Sequence, residues 1–408
     1  MDKKRIIIVI VFIIITILLG LALYWVFFAE KEPTIPTGPG EGITPGTGAY
    51  PSSETGDITG REEIAPGVLP SSEIRPGTSF KPGEVTKAER ETKLVDSSIL
   101  DPSINSQGNP QFYNRNDGKF YQVLSDGTVR VLSDKVFYNV DKVTWSPNDN
   151  EAVIEYPDGS NIYYNFQTQE QVSLPKHWED FSFSNEGAKI ASKSMGYSPE
   201  NRWLITSNPD GGNVQYIEPL GENGYKVDVD WSPTRKIVAL SRTGDALGTD
   251  RQEVLLIGQN GENFKSLTVE GRGMVSQWST TGQQLLYSVY NTNSEYKPEL
   301  WIVNADGDQI DTNRRALSIN TWADKCAFAS ERYVYCGVPV ELPVGAGFEP
   351  TIADNIQDTI YRIDLQTGSK TTIATDEAHV IDQIFVSADG STLHFTDKTE
   401  AGLFTIEL

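Results

Sequence analysis

One turn pattern recurs seven times between Ser98 and the C-terminus, and this repetition strongly limits how the chain can fold. A strand of alternating apolar residues runs into a turn of the form aromatic-Ser-x-x-Gly or Asp, with some variation, and two or three more short strands follow. Successive turns lie 41, 38, 48, 47, 50 and 58 residues apart, a period typical of four-stranded propeller blades. The turns are Ile104-Asn-Ser-Gln-Gly108, Trp145-Ser-Pro-Asn-Asp149, Phe183-Ser-Asn-Glu-Gly187, Trp231-Ser-Pro-Thr-Arg235, Trp278-Ser-Thr-Thr-Gly282, Phe328-Ala-Ser-Glu-Arg332 and Val386-Ser-Ala-Asp-Gly390.

The fourth repeat illustrates how each blade is predicted. Apolar residues alternate with Asp228 and Asp230 and end at Trp231, which gives a strand with one apolar face. The apolar runs 237–240 and 254–257 suit strands buried between neighbouring blades, and 264–269 supplies the outer strand. We therefore predict an all-β domain over residues 89–408, a seven-bladed β-propeller of four-stranded antiparallel blades.

Short pairs of Asp or Asn with Gly recur between the third and fourth strands, and such pairs are strong signals for hairpin turns. Asp306-Gly307-Asp308 also suggests a calcium loop, but the sequence lacks the further spaced oxygen ligands and the distal Glu of such a loop. We predict hairpin turns at Ser125-Asp126-Gly127, Asn260-Gly261, Asp306-Gly307 and Thr367-Gly368.

The last repeat contains three strands and ends at Leu408 without an outer one. An unassigned strand candidate, Glu91 to Val95, precedes the first repeat. We predict that it completes the last blade, because ring closure would protect the terminal sheet edges.

The recurrent Trp/Phe-Ser-Pro-x-Gly turns, with an apolar strand and an Asp-Gly hairpin after them, resemble those of WD-repeat-like propellers of the TolB type. Such propellers occur in bacterial envelope proteins and in the propeller domains of prolyl-oligopeptidase-like peptidases. The resemblance covers residues 90–408 and concerns a fold superfamily. It implies that the aromatic-Ser-Pro turn is structural and that the domain serves protein–protein contact or gating, although the fold itself implies neither.

The first 29 residues have a different composition from the rest. Ile6 to Ala29 is an apolar run without a charge, long enough to cross a hydrocarbon core of about 30 Å. Lys3-Lys4-Arg5 precedes it, which places the N-terminus inside. A cleavable signal peptide is the alternative, but its apolar core is normally shorter and ends at small residues. We predict that 1–29 is a cytoplasmic stub with a transmembrane helix, and that the protein is a single-pass cytoplasmic-membrane protein with an extracytoplasmic propeller.

Residues 30–88 are predicted to be a disordered linker. Nine of the 22 prolines lie between Pro33 and Pro82, among Gly, Thr and Ser. Such a segment cannot bury enough apolar surface to offset its ordering entropy. About 50 residues of this kind would reach roughly 40 Å as a coil, so the linker would tether the propeller to the membrane.

The net charge of −22 and the pI of about 4.6 argue against nucleic acid as a partner, because an acidic surface repels phosphate backbones. The simpler interpretation of this charge is that it keeps an exported domain soluble.

The sequence carries no recognisable catalytic motif. A Gly-x-Ser-x-Gly elbow and a phosphate loop are both absent. His177, His379 and His394 lack metal-ligand spacing, so we interpret them as structural or surface histidines. We expect no catalytic residue, no metal and no cofactor, although activity in the central funnel stays open.

Cys326 and Cys336 flank a tight reversal on the first two strands of the sixth blade. Equal spacing about Glu331 makes them cross-strand neighbours on one face. An exported location favours a disulfide between them, and two buried free thiols are the alternative.

Four consecutive blades have long connections between their second and third strands, and in a propeller these connections emerge on one face. They run from Ser194 to Arg202, Arg242 to Gln252, Tyr290 to Pro298 and Gly337 to Thr359. Long loops on a rigid scaffold commonly form a recognition surface, although surface insertions without a partner are the alternative. Residues of types enriched at interface hot spots are Tyr197, Arg202, Arg242, Arg251, Tyr290, Tyr296 and Phe348.

Together these features predict a membrane-tethered extracytoplasmic propeller that binds or scaffolds a protein or peptide of the cell envelope. The alternative is an enzyme or carbohydrate-binding module with its site in the central funnel, built from dispersed polar residues. A purely structural spacer is a third possibility.

Overall fold

The computed structural model describes residues 91–148, 150–262 and 264–408. Within them, 28 strands form seven four-stranded antiparallel sheets, which are the blades of a propeller. The strands are β1 (Glu91–Val95), β2 (Ile99–Ile104), β3 (Pro110–Asn114), β4 (Lys119–Val123), β5 (Val129–Val131), β6 (Lys142–Trp145), β7 (Glu151–Glu155), β8 (Asn161–Asn165), β9 (Gln171–Leu174), β10 (Trp178–Phe183), β11 (Ile190–Met195), β12 (Arg202–Ser207), β13 (Gln215–Pro219), β14 (Val227–Val229), β15 (Ile237–Ser241), β16 (Gln252–Gly258), β17 (Leu267–Val269), β18 (Arg272–Trp278), β19 (Gln284–Tyr290), β20 (Glu299–Asn304), β21 (Arg315–Ala316), β22 (Cys326–Phe328), β23 (Tyr333–Pro339), β24 (Asp358–Asp364), β25 (Lys370–Ile373), β26 (Ile381–Val386), β27 (Thr392–Asp397) and β28 (Leu403–Glu407).

Blades 1 to 6 each take four consecutive strands, from β2–β5 for blade 1 to β22–β25 for blade 6. In each, the first strand is the inner one. Five short 3-10 helices lie in the connections, at Pro199–Asn201, Gly221–Lys226, Gly307–Gln309, Ala323–Lys325 and Pro350–Ala353. The predicted seven-bladed antiparallel propeller is therefore confirmed.

Blade 7 is built from both ends of the propeller, in the order β1-β28-β27-β26. Strand β1 pairs antiparallel with β28, with Glu91 opposite Ile406 and Lys93 opposite Phe404. The prediction that Glu91 to Val95 supplies the missing outer strand is confirmed. The ring has no free edge at the chain junction, as sheet closure requires.

The recurrent serine stabilises the turn by a hydrogen bond between its side chain and the backbone of the same turn. The buried hydroxyls of Ser184, Ser232, Ser279 and Ser387 each accept a hydrogen bond from the backbone N–H five residues later, at 3.0–3.2 Å. The turn also requires a residue whose backbone adopts the left-handed conformation, such as Gly282 with a φ of 74°. A Cβ there would also lie 3.0 Å from Thr234 of the preceding blade, so glycine fits for both reasons.

The core lies between the blades as a series of apolar layers. Between blades 4 and 5, for example, Leu256, Leu267, Leu285 and Val303 pack together with Trp278. The indole N–H of Trp278 also donates to the backbone oxygen of Asp230 in the preceding blade, at 3.3 Å. The turn tryptophans therefore pack as structural groups that join neighbouring blades.

Two local predictions are wrong. Asp306-Gly307 is not a tight hairpin, because a ten-residue connection with a 3-10 helix joins β20 to β21. Asp311 in this connection accepts a hydrogen bond from the backbone N–H of Thr268 in blade 4. The longer connection therefore contacts the neighbouring blade. The outer strand of blade 4 begins at Leu267 instead of Phe264, and Phe264 packs against the interblade core.

Cys326 and Cys336 lie directly opposite each other on β22 and β23, and the structure joins them by a disulfide. Their Cα atoms are 4.0 Å apart, and both residues are buried in the layer between blades 5 and 6. The bond therefore links the inner strand of blade 6 to its neighbour.

The predicted anchor at 1–29 and linker at 30–88 lie outside the described residues. Among the residues described, no helix combines the length and the apolar character needed to cross a membrane.

Candidate functional site

The long connections between second and third strands open on the same side of the ring as the blade-to-blade links, and we call this side the long-loop face. The connections span 196–201, 242–251, 291–298 and 340–357. The inner-strand turns lie on the opposite side, which we call the tight-turn face. The four loops occupy consecutive blades, 3 to 6, so they form a continuous arc.

The longest connection, 340–357 in blade 6, is held by a small core of its own. Leu342, Ala346 and Ala353 are buried against Trp322, with Ile356 beside them. This packing fixes the backbone of the loop, so the loop presents its remaining side chains from a defined position.

This loop also docks on the neighbouring loop of blade 5. The backbone N–H groups of Gly345 and Gly347 donate to the oxygens of Glu295 and Tyr296, at 2.9 and 2.8 Å. The ring of Phe348 lies 4.7 Å from that of Tyr290 and 5.1 Å from that of Tyr296, measured between centroids. Three predicted site residues are thus brought together, and we call residues 290–298 and 340–357 the blade 5–6 platform.

The platform exposes apolar side chains to solvent. Four of them lie in the loop of blade 6 at intervals of four residues, with exposed fractions of 46–69%. The loop and one of these residues, Phe348, were predicted from the sequence. The other three were not, because exposure depends on which side chains are buried in the small core of the loop. The four are Val340, Val344, Phe348 and Ile352.

Tyr197 and Arg202 lie apart from the platform, at the loop of blade 3. Tyr197 is fully exposed. Arg202 donates to the backbone oxygens of Gly196 and Tyr197 at 3.1 and 3.3 Å, and it pairs with Glu222 at 3.3 Å. The arginine therefore orders its own loop, and Tyr197 is the side chain left for contact.

Arg242 and Arg251 flank the loop of blade 4, and both have intramolecular partners. Arg242 donates to the backbone oxygen of Tyr225 at 3.1 Å and to Asp228 at 3.2 Å. Arg251 lies 3.0 Å from Glu270. These two arginines therefore stabilise the loops through intramolecular contacts. The exposed aromatic and aliphatic side chains of the loops are the groups available for contact with a partner.

A polar cavity of about 830 Å³ opens on the long-loop face, where blades 6, 7 and 1 meet. Asp354, Asp382 and Asp101 line it together with Arg115 and Lys398. Lys398 lies 2.5 Å from Asp354 and 3.9 Å from Asp382. A cavity with both signs of charge can orient a polar group, such as the end of a peptide chain.

Acidic residues are concentrated near the inner strands of blades 1 to 4. Two of them join the inner strands of neighbouring blades: Asp101 accepts from the N–H of Val143 at 2.7 Å, and Asp180 accepts from that of Val229 at 3.0 Å. Lys193 neutralises Asp180 at 3.2 Å. These two aspartates therefore have structural roles in the ring.

Two other carboxyl groups in this region have pKa values near neutrality. Burial raises the pKa of Glu155 to about 7, although Lys142 opposes the shift. Burial, and then the negative charges of Asp180 and Asp228, raise the pKa of Asp230 to about 7. Groups with such pKa values can exchange protons at physiological pH.

His379, predicted to be a structural or surface histidine, has partners that the sequence did not indicate. Its Nε2 lies 2.7 Å from Glu91 and its Nδ1 lies 2.9 Å from Asp397, while its ring packs on Phe395 and Phe404. Glu91 is 288 residues away in the sequence, so no local motif could indicate this contact. The cluster closes the ring, and His379 is buried in the link between blades 6 and 7.

His394 lies on β27 and is buried. Burial lowers its pKa to about 4, so it is neutral at physiological pH. In the part of the chain that the structure describes, no group of His, Cys, Asp and Glu side chains has a geometry suited to a metal ion.

No protein-family model matches this chain, and no curated protein matches it in sequence. Solved structures do resemble it. An oligogalacturonate lyase in complex with manganese shares 13% identity, covers 80% of this chain and 97% of its own, and has a TM-score of 0.56. The β-propeller domain of Cps50 (Swd1) from Myceliophteria thermophila shares 12% identity over 78% of this chain and 100% of its own, with a TM-score of 0.54.

Hydrazine synthase from Kuenenia stuttgartiensis is a third similar structure, with 12% identity, 78% of this chain and 97% of that chain covered, and a TM-score of 0.52. Identities this low show the fold and nothing finer. The resemblance to WD-repeat-like propellers is thereby confirmed at the level of the fold, and the chain is a seven-bladed β-propeller.

Proposed function

We propose that this chain is a membrane-tethered, extracytoplasmic β-propeller that binds a protein of the cell envelope through its long-loop face. The observation that carries the proposal is the blade 5–6 platform, where one anchored loop exposes four apolar side chains, those of Val340, Val344, Phe348 and Ile352. Apolar groups exposed together on a soluble surface are typical of interaction sites.

The platform suits binding for an energetic reason as well. Its loop is already ordered by a buried core around Leu342 and by two backbone hydrogen bonds to blade 5. Little conformational entropy would therefore be lost on association. Phe348 and the adjacent tyrosines are of the types that act as anchors in interfaces.

The membrane attachment in this proposal rests on the sequence alone. The apolar run 6–29 and the basic cluster before it favour a retained anchor with the propeller outside. The acidic charge of −22 favours a protein partner over nucleic acid.

Site-specific photo-crosslinking in native membranes tests the proposal. A photoreactive phenylalanine analogue at Val344 or Phe348 of the intact tethered chain should give a discrete protein adduct. The same group at Thr367 or Asp389, exposed turn residues of the tight-turn face, is the matched control. Adducts only from the control positions, or none from either face, would contradict the proposal.

The second candidate function is an enzyme or carbohydrate-binding module in the central funnel. It is favoured by the near-neutral pKa values of Glu155 and Asp230, which suit proton transfer. The chain would then release reducing ends from isolated cell-wall polysaccharide, and Glu155→Gln or Asp230→Asn would abolish the release. Absence of release by the unaltered chain would remove this candidate.

A further inference from the structure

A second cleft, of about 570 Å³, lies between blades 1 and 2 on the tight-turn face, opposite the surface discussed above. Seven carboxamide side chains line it, four from blade 1 and three from the turns of blade 2. Arg130 is the one charged residue among the described residues that line it. In a chain with a net charge of −22, a lining whose described residues are neutral apart from one arginine is a local exception.

The floor of the cleft is a polar row across blade 1. Ser103, Gln111, Gln122 and Arg130 are consecutive cross-strand partners from the inner to the outer strand. The Arg130 guanidinium donates to the Gln122 side-chain oxygen. Two residues further along the strands, the same face of blade 1 is apolar. Tyr113 and Phe120 lie there, in the core shared with blade 2.

Gln111 is the unusual member of the row. Its exposed fraction is 2%, and its side chain has no hydrogen-bond partner among the described residues. The side chain of a buried polar residue is normally paired, so Gln111 calls for an explanation, and its amide atoms are not among those fully enclosed by protein without a partner. Gln111 lines the cleft, so a ligand in the cleft could form hydrogen bonds with its amide.

Blades 2, 3 and 5 show that the fold does not require a polar residue at this position, although blade 7 also has a buried polar residue there, His394. Gln111 lies opposite Ser103, the next-to-last residue of its inner strand. The residues in the same register position of blades 2, 3 and 5 are apolar and fully buried, and they pack in the interblade core. They are Val153, Ala191 and Leu286.

We infer that the cleft between blades 1 and 2 binds a sugar through its ring hydroxyls. A carboxamide presents a donor and an acceptor side by side, and adjacent hydroxyls of a pyranose can pair with both at once. The volume is in the range of small-ligand sites. Arg130 would add a charged hydrogen bond to a sugar that carries a carboxylate. Because the cleft and the long-loop face lie on opposite sides, this binding is independent of the protein contact proposed above.

Saturation-transfer NMR of the purified full-length chain with glucose, N-acetylglucosamine and glucuronic acid tests the inference. At least one of these sugars should receive saturation from the unaltered chain. Gln111→Leu should reduce that signal at least tenfold without lowering the melting temperature, because it replaces an unpaired buried amide with an apolar group. The matched control is Gln284→Leu in blade 5. The amide oxygen of Gln284 is buried without a partner, and the residue lies far from the cleft in sequence and blade order.

Further variants separate the possible outcomes. Arg130→Gln should weaken binding of glucuronic acid alone if the bound sugar is acidic, and should leave binding of the neutral sugars unchanged. If Gln111→Leu fails to fold, Gln167→Ala at the exposed rim should reduce the signal instead. No transfer to any of the three sugars, or transfer that persists in the folded cleft variants, would overturn the inference.

Discussion

At the level of single residues, the ring closes through His379, which is buried between carboxylates from both ends of the propeller. Burial of the ring favours neutral imidazole, but hydrogen bonds and charges from Asp397 and Glu91 outweigh this and raise the pKa of His379. Burial likewise opposes the shift of Asp397, but hydrogen bonds from His379 and Thr399 hold the pKa of that carboxyl well below its usual range. The closure is therefore coupled to protonation.

The direction of each pKa shift determines how the free energy of unfolding depends on pH. His379 stabilises the fold fully below its unfolded pKa of about 6.5 and loses this contribution as pH rises through its higher folded value. Asp397 stabilises the fold above its unfolded pKa of about 3.9 and loses this contribution as pH falls through its lower folded value. Their joint contribution is greatest between about pH 4 and pH 6.5.

We expect the denaturant midpoint of the unaltered chain to fall as the pH rises from about 6 to about 9. His379→Gln should reduce this dependence without removing it, because the raised pKa values of Glu155 and Asp230 also make stability fall as pH rises toward neutrality. The variant should be destabilised by about 3 kcal/mol at pH 5, because two buried carboxylates lose their cationic partner. Chemical denaturation of both chains across this range checks the prediction. Parallel pH profiles would show that His379 is not the titrating group.

Gly347 determines whether the two platform loops fit together. A Cβ at this position would lie 2.5 Å from the ring of Tyr290, so Gly347→Ala should displace the aromatic contact with Phe348. Because the loop is peripheral, we expect a stability loss of no more than about 1 kcal/mol but faster hydrogen exchange across 340–357. The control is Glu349→Ala, an exposed change in the same loop. Unchanged exchange in Gly347→Ala would contradict the packing described here.

At the level of elements, the strand β1 is a closure device recruited from outside the repeats. It forms an antiparallel ladder with β28 that is interrupted by a register shift between Lys93 and Val95, and Lys93 adds an ion pair to Glu400 at 2.8 Å. Its loss would uncover the edge of β28 and remove Glu91 from His379. The outer position of β1 therefore affects both the sheet and the buried charge cluster.

A chain that begins at Asp96 should be several kcal/mol less stable than one that begins at Glu91, because ladder bonds and packing are lost together. Thermal unfolding of this matched pair, both without the N-terminal segment, measures the difference. Equal melting temperatures would mean that β1 does not contribute to closure.

The elements also show what sequence reasoning could reach. The turns at Trp145 and Trp278 and the missing last strand were visible because local alternation and period encode blades. The docking of Gly347 on Tyr296, 51 residues earlier in the sequence, was not visible, because it depends on how two loops meet in three dimensions. The role of Gln111 could not be predicted from the sequence either. Its amide stands out only when the strand register of several blades is compared.

At the level of the whole molecule, the propeller follows a segment that its composition predicts to be a disordered linker. The described ring is closed by β1 and covered between blades by apolar layers. The segment before it is rich in Pro, Gly and Ser, which predicts a chain that proteases can reach.

Limited proteolysis should therefore cleave the full-length chain between about Pro33 and Pro82 and leave a resistant fragment that contains the propeller. Mass spectrometry of the fragments locates the cuts. A segment 33–82 that resists cleavage in the free protein would contradict the tether.

The central claim is that the long-loop face, and chiefly the blade 5–6 platform, is the surface that meets a partner. Hydroxyl-radical footprinting of the full-length chain in native envelopes and after purification tests it most directly. We predict that Phe348, Tyr290 and Tyr197 are less reactive in the envelope than in the purified chain, while exposed residues of the tight-turn face react equally in both. Protection confined to the tight-turn face, or no protection on either face, would contradict the account.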